Sequence, residues 1–247
     1  MRTLFALILG AAVSWSVFWL WGALSYKADL YEWISDRQND GWRIEIDDIV
    51  LFGYPNRFDI TLESPQIYSK DLDFKWQGAF LQILRLSYNK NHTIAVLPET
   101  HRFNIGGIWF DITSENLLAS IVDLENGRQR IVVEGTKLRV KNYLFDQRFD
   151  KVQIALLKTG TNFKFQLNLI HTEETPSVKW KNLLISADLI NNTGAIKHKT
   201  ASFDLSSLVL ENTSLLIDNL SLFEKRGPTK LKEILIETGI ALASYEK

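Results

Sequence analysis

The sequence predicts a mainly β protein, in which an N-terminal transmembrane helix leads into a long curved antiparallel sheet, built as a sandwich or a half-barrel. An uncharged apolar run stands near the N-terminus, and the chain after Trp42 repeatedly alternates apolar and polar residues. A period of two is typical of antiparallel strands that bury one face and wet the other. The 247 residues are 46% hydrophobic, which is enough for a substantial core.

The first element is the uncharged run from Leu4 to Leu24, which has 21 residues. As a helix it would extend about 32 Å, matching a hydrocarbon core about 30 Å thick. Because Arg2 and the α-amino group precede the run, the positive-inside rule predicts that Met1 is cytoplasmic and the body lies across the membrane. Amphipathic rings that favour the membrane–water boundary lie in its C-terminal third: Trp15, Trp19 and Trp21.

A cleaved signal peptide is the competing interpretation of this run. The tripeptide Ala23-Leu24-Ser25 fits a small-x-small cleavage site. However, the run exceeds the usual apolar length of about 7–15 residues, and bulky side chains lie close to the site. An uncleaved anchor over residues 1–25 is therefore favoured, and under either interpretation the body is exported.

Residues 26–41 are predicted to form a juxtamembrane helix that ends at Asp40-Gly41. Leu30, Trp33 and Ile34 share one stripe of this helix. The helix either extends the membrane segment outwards or lies on the lipid headgroups.

Residues 42–226 are predicted to form the β domain. The segment Ser114–Leu124 fits either a short helix or a strand, and its alternating neighbours favour a strand. The clearest alternating runs place these residues on common faces: Ile44 and Ile46; Phe58, Ile60 and Leu62; Leu72, Phe74 and Trp76; Phe163, Phe165, Leu167 and Leu169.

Residues 227–247 are predicted to form an amphipathic C-terminal helix that docks on the sheet. After Gly227-Pro228, apolar side chains recur at helical spacing. The members of this stripe are Leu231, Ile234, Leu235, Thr238, Leu242 and Tyr245.

The composition excludes several functions. A formal charge of −1 is too low for nucleic-acid binding, and the absence of cysteine rules out disulfides and thiolate metal sites. The sequence contains no phosphate-binding glycine loop and no nucleophile elbow, and its four histidines are not paired at metal-ligand spacing. We therefore expect a non-enzymatic protein with no metal and no cofactor.

One stretch of the chain carries recognisable motifs. Gly53-Tyr54-Pro55-Asn56-Arg57 opens a strand, and Trp76-Gln77-Gly78-Ala79 and Ile94-Ala95-Val96-Leu97-Pro98 follow it. On these residues the segment 41–98 resembles the alphaproteobacterial family known as domain of unknown function 2125, although Asn56 replaces the usual Phe.

The resemblance implies an exported bacterial envelope protein with no established activity. Here that means a single-pass inner-membrane protein whose body is periplasmic. Within the motif, Gly53, Tyr54, Pro55 and Arg57 are expected to form a structural turn, because Gly permits unusual dihedral angles and Pro fixes φ. The architecture, although not the motif, is also similar to that of AsmA-like and tubular lipid-binding envelope proteins.

Two functions fit this context besides a plain filled core. In the first, one face of the sheet forms an apolar groove beside the bilayer that binds a lipid or other hydrophobic ligand. In the second, a sheet edge or the C-terminal helix binds an envelope protein, as in a scaffold. A hydrolase is a third alternative, which requires Ser, His and a carboxylate to converge. The residues predicted to line the groove are Phe58, Ile60, Leu62, Phe74 and Trp76.

Overall fold

The computed structural model contains one long helix followed by one open antiparallel sheet. It describes residues 1–69, 73–105, 107–143, 146–160, 162–171, 182–190, 209–217, 220–226 and 229–230. The predicted strand residue Leu72 therefore lies outside the described residues. The mainly β fold class and the large antiparallel sheet are confirmed.

Helix α1 (Arg2–Asn39) joins the predicted membrane segment and the predicted juxtamembrane helix without a break. It ends where the sequence predicts, because Gly41 takes a φ of +87°, a conformation that glycine adopts at no steric cost. The second half of the helix extends the first as one rod and packs against the sheet, instead of lying free.

The described residues form sixteen strands that belong to one sheet, and every pairing is antiparallel. The strands are β1 (Trp42–Glu45), β2 (Asp48–Phe52), β3 (Arg57–Glu63), β4 (Gln66–Ser69), β5 (Phe74–Gly78), β6 (Phe80–Leu86), β7 (Asn89–Val96), β8 (Thr100–Ile105), β9 (Ile108–Asp123), β10 (Gln129–Lys141), β11 (Asp146–Thr159), β12 (Asn162–Ile170), β13 (Asn182–Ile190), β14 (Val209–Ile217), β15 (Leu220–Arg226) and β16 (Thr229–Lys230).

The first eight strands form four long strands, each of which is divided into two by a bend. β1 pairs with β4, and β2 pairs with β3. On their other edges, β4 pairs with β5 and β3 pairs with β6. The same pattern continues, because β7 and β8 both pair with β9. The whole sheet is thus an up-and-down meander, in which each long strand lies beside the next one in the sequence.

A line of irregular residues crosses the meander where these strands bend. Ser64, Asn116 and Lys137 have φ values of 47°, 55° and 47°, and Pro65 and Pro98 stand on the same line. The β9–β10 register shifts at this level, on both sides of Thr136. Bulges of this kind bend a strand and increase its twist, so they divide the sheet into two halves that face different directions.

The ambiguous segment Ser114–Leu124 is a strand, as predicted. Residues 114–123 form the second half of β9, which pairs with β7 on one side and β10 on the other. Pairing along both edges uses the backbone donors and acceptors that a helix would have satisfied internally.

The predicted C-terminal helix is not confirmed. Its residues Thr229 and Lys230 are extended and pair with Leu210 and Val209 of β14. The remainder of the prediction, residues 231–247, lies outside the described residues.

We predict that Lys137→Gly raises the free energy of unfolding by up to about 1 kcal/mol. The left-handed conformation costs a side-chain-bearing residue about 1–2 kcal/mol, which outweighs the extra entropy that glycine gives the unfolded chain. The lost ion pair with Glu115 is exposed and contributes little. Lys141→Gly, at the end of the same strand, has no positive φ to relieve and should lower stability by about 0.5–1 kcal/mol. Chemical denaturation of both variants measures the difference, and equal destabilisation would contradict the prediction.

Candidate functional site

One row of apolar residues crosses the sheet in unbroken register, and we refer to it as the apolar track. Each member is the direct cross-strand partner of the next, over nine long strands. Eight inter-strand steps of about 4.8 Å make the track roughly 38 Å long. Its members are Leu51, Ile60, Ile83, Ala95, Ala119, Val133, Ile154, Leu167 and Ile185.

The apolar track is fully buried at Ile60, one strand from its first member Leu51, and at Ile185, its last member, and it is half-buried elsewhere. Ile83, Ala95 and Val133 are among the members that retain part of their exposure. The far end belongs to a buried cluster on β11, β12 and β13 that contains Phe149, Val152, Leu169, Leu183, Ile185 and Ala187. The buried and half-buried residues of the track together form one continuous apolar surface, which we call the apolar trough.

The near end of the trough is covered by α1. The helix residues Tyr26, Leu30 and Ile34 pack on a cluster formed by β1, β2 and β3 that includes Ile44, Ile49, Ile60 and Leu62. This packing covers Leu30 and Ile34 of the predicted stripe, whereas Trp33 remains 50% exposed.

Two polar contacts hold the helix at the edge of this cluster. Lys27 Nζ donates a 2.7 Å hydrogen bond to the carbonyl of Ile49. The Arg85 guanidinium lies over the Tyr26 ring, 3.6 Å from its centre. A cation–π contact at a partly desolvated site contributes about 1 kcal/mol. Because the hydrogen bond and the cation–π contact both need a defined geometry, together they favour one position of the helix on the sheet.

A cavity of about 170 Å³ lies between the helix and the sheet. No polar atom of the described residues faces this cavity, so a water molecule there would find no hydrogen-bond partner among them. An apolar cavity of about 150 Å³ is large enough to hold benzene, so this one is large enough for part of an acyl chain. The helix contributes Leu30, Trp33 and Ile34, and the sheet contributes Ile44, Ile46, Leu62, Pro65, Ile67, Leu81 and Ile83.

The five predicted groove residues fall in different places. Leu62 lines the cavity, and Ile60 is buried in the cluster beside it. Phe58 is buried under α1, Trp76 is buried in β5, and Phe74 is half-buried at the start of β5. The prediction did not include the helix as a wall, although it had identified the stripe of Leu30, Trp33 and Ile34.

Phe58 of β3 packs against α1 near the C-terminal end of the apolar run. Its ring is 2% exposed and lies between Trp19 and Tyr26, with ring centres 6.1 and 6.2 Å away. Gly22 faces it so closely that an added Cβ would stand 2.7 Å from Phe58 Cζ. A residue larger than glycine at position 22 would therefore separate the helix from the sheet.

Residues 53–57 form a tight turn between β2 and β3, which we call the motif turn. Gly53 has a φ of +102°, and its carbonyl accepts a 2.7 Å hydrogen bond from the Arg57 amide. A Cβ at position 53 would lie 2.6 Å from the Arg57 carbonyl oxygen, so only glycine fits. The Tyr54–Pro55 peptide bond is cis.

This turn contacts α1 inside the apolar run. The indoles of Trp15 and Trp19 donate hydrogen bonds of 3.1 and 2.8 Å to the carbonyls of Pro55 and Arg57. Ser16 Oγ lies 2.8 Å from the Tyr54 hydroxyl, and the Tyr54 ring meets Trp19 edge-on. Sequence reasoning assigned these tryptophans to a membrane boundary and did not connect them with the motif.

The described residues offer few groups for chemistry. No three His, Asp or Glu side chains among them are placed to hold a metal ion. His92 Nε2 lies 2.9 Å from Ser120 Oγ, on the face of the sheet opposite the apolar track. A Ser–His contact needs an orienting group and an oxyanion site before it can act as a nucleophile pair, so this pair alone does not define an active site.

His101 is a buried titratable side chain on β8, and it packs close to Trp76. Its Nδ1 donates a 3.1 Å hydrogen bond to the carbonyl of Pro98, and its ring centre is 6.1 Å from that of Trp76. Burial lowers the pKa of His101 below its ordinary value, because the charged ring would lose its hydration.

We predict that Gly22→Leu lowers the free energy of unfolding by about 1–3 kcal/mol, because Phe58 cannot move away without leaving its pocket. Gly10→Leu is the matched control, since a Cβ at Gly10 meets no atom within 4 Å. Both variants add the same side chain to the same helix, and thermal unfolding of the full chain in detergent compares them. If the two variants had the same stability, the close packing of helix and sheet would be refuted.

We predict that acidification destabilises the fold through His101. Because its pKa is lowered in the folded state, the unfolded chain takes up a proton first as the pH falls below about 6.5. Stability is therefore lost as the pH falls through this range, and it is unaffected by His101 at higher pH. Denaturation of the wild type and of His101→Gln at about pH 7.5 and pH 5.5 should show a smaller acid-induced loss in the variant. An equal loss in both proteins would contradict the assignment.

No curated protein matches the chain, and no solved structure matches it. A family model described as "Uncharacterized protein conserved in bacteria (DUF2125)" matches residues 19–162. The match begins at Trp19, which binds the motif turn, and continues through β11, well beyond the segment 41–98 that carries the visible motifs. It covers more than half of the chain and confirms the resemblance seen in the sequence. The chain therefore belongs to the DUF2125 family of uncharacterized bacterial proteins.

Proposed function

We propose that this protein is tethered to the bacterial inner membrane by α1 and holds part of a lipid, or another hydrophobic ligand, in the apolar trough. The N-terminus is then cytoplasmic and the sheet lies in the periplasm. The cavity between α1 and the sheet, which is lined only by apolar side chains, is the observation that carries this proposal.

The properties of α1 support the tether. The helix is long and apolar enough to cross a membrane, with a mean hydropathy of 1.9 over its most apolar 18 residues. Its first half is exposed rather than packed in a core, and continuous exposed apolar surface of this kind requires lipid or protein to cover it. The exposed side chains include Leu4, Leu7, Val17, Leu20 and Trp21.

The position of the cavity supports a membrane lipid as the ligand. Leu30 lies six residues beyond Leu24, where the apolar run ends, so about 9 Å of helix separates the two. An acyl chain could therefore enter the cavity while the rest of the lipid stays near the bilayer surface. The half-buried middle of the apolar track offers further apolar surface beyond the cavity.

The energy of such binding follows from the buried area. Each buried methylene group contributes about 0.8 kcal/mol, so a cavity slightly larger than benzene, holding about six such groups, supplies roughly 5 kcal/mol. This amount suits a ligand that is held and released rather than permanently bound. Additional contact along the track would increase the affinity.

We predict that filling the cavity removes the ligand. Ile46→Trp and Ile67→Trp each place an indole in the space between helix and sheet, and each should lower co-purifying lipid at least about tenfold, equivalent to a loss of roughly 1.4 kcal/mol. Mass spectrometry of lipid extracted from the purified full-length protein measures the stoichiometry.

Val132→Trp is the matched control. Val132 is half-buried and lies one residue from Val133 of the apolar track, so it faces the opposite side of the sheet. This variant should keep wild-type lipid. A wild-type protein without stoichiometric lipid, or equal lipid in all variants, would refute ligand binding in the cavity and favour a scaffold that binds a protein.

A further inference from the structure

The hairpin turn after β2 contacts the apolar run of α1, and several other hairpin turns lie at the same end of the sheet. Because the strands of a meander alternate in direction, the turns after β2, β6, β9 and β11 share one end, which we call the lower end. The turns after β8 and β10 lie at the other, upper end. At the lower end, the amide and the hydroxyl of Ser87 both donate 2.9 Å hydrogen bonds to the carbonyl of Asn56, which joins the first two turns.

The lower end touches α1 at a level where the helix is still part of the apolar run. Pro55 is hydrogen-bonded to Trp15, which lies nine residues before Leu24. At about 1.5 Å per residue, the turn reaches roughly 13 Å below the end of the run. If the run occupies a bilayer, the turn cannot remain in bulk water.

We propose that the lower end of the sheet enters the lipid bilayer beside α1, so that residues 53–57 lie below the headgroups of the periplasmic leaflet. The partner of this surface is the lipid bilayer itself. The proposal rests on the membrane tether proposed above, and it adds a second membrane contact formed by the sheet.

The hydrogen bonds of the turn suit a site with little water. Irregular backbone is tolerated at membrane depth only where its polar groups find partners inside the protein. Here the carbonyls of Pro55 and Arg57 accept from two indoles, and the Tyr54 hydroxyl pairs with Ser16. The Arg57 guanidinium pairs with Asp59 at 2.5 Å, which partly neutralises the charge next to the turn.

The exposed side chains at the first two turns include three aromatic rings, a residue type that is enriched at membrane interfaces. Phe52, Tyr54 and Tyr88 are 60%, 56% and 72% exposed and stand on the turns that Ser87 joins. Aromatic rings of this kind are enriched where a protein passes through the membrane–water interface into the bilayer, as is expected for Trp21 on the helix.

The charge of the lower end also fits a bilayer that contains anionic lipid. Within residues 50–60, 84–92, 121–131, 156–160 and 162–166 there are seven basic and three acidic side chains, although the whole chain has a charge of −1. The exposed basic residues are Arg57, Lys90, Arg128, Arg130, Lys158 and Lys164. Basic side chains near an anionic surface are attracted within about one Debye length, roughly 8–10 Å.

Depth measurements at single cysteines test the proposal, and the chain has no cysteine of its own to interfere. Four full-length variants are labelled with an environment-sensitive fluorophore and reconstituted in vesicles of phosphatidylethanolamine and phosphatidylglycerol. Phe52→Cys and Tyr88→Cys report on the lower end. Val13→Cys reports on the helix, and Tyr143→Cys, 78% exposed in the turn after β10, reports on the upper end.

We expect labels at positions 52 and 88 to be quenched by nitroxide-bearing lipid as the label at 13 is, and to be several-fold less accessible to aqueous iodide than the label at 143. If the labels at positions 52 and 88 are as accessible to iodide as the label at 143, while the label at 13 is quenched by lipid, the insertion of the lower end is refuted and the tether stands. If 13 is also accessible to iodide, the tether and the insertion both fail.

Discussion

The packing of α1 against β1, β2 and β3 is the interaction on which the rest of the structure depends. An open sheet with one apolar face must cover that face, and no second sheet lies against it within the described residues. The helix supplies Leu30 and Ile34 for this purpose, while Gly22 lets it approach Phe58 closely. The element that carries the membrane-like sequence is therefore also part of the core of the folded domain.

The width of α1 explains why the helix covers only part of the apolar track. A helix with its side chains is about 10–12 Å wide, whereas neighbouring strands lie about 4.8 Å apart. One helix can therefore cover about two or three strands of a track that crosses nine. The uncovered middle, around Ala95, Ala119 and Val133, stays half-buried, and the imperfect fit at the edge of the helix leaves the apolar cavity. Partial exposure of the track therefore follows from the width of the helix relative to that of the sheet.

The sequence predicts the strands well and their surroundings poorly. A period of two identifies which residues share a face, so the faces of β3, β5 and β12 and the strand over 114–123 are predicted correctly. The period says nothing about what lies opposite, so Phe58 and Leu62 were placed in one groove although they meet different parts of α1. The bend near Lys137 carries no proline or glycine at that position, and its left-handed φ is visible only in the structure.

The contacts of the motif turn bear on whether the N-terminal segment is a cleaved signal peptide. Cleavage after Ser25 would remove Trp15 and Trp19, which donate to the turn carbonyls, and would remove Gly22 from the face of Phe58. A ring now 2% exposed would then face solvent, and two carbonyls would lose their partners. Because such losses cost several kcal/mol in total, the fold favours retention of the segment. If α1 spans a bilayer as we propose, the same contacts let one element serve as anchor and core, because the helix would leave the bilayer already bound to the sheet and hold the cavity at a fixed distance from the lipid.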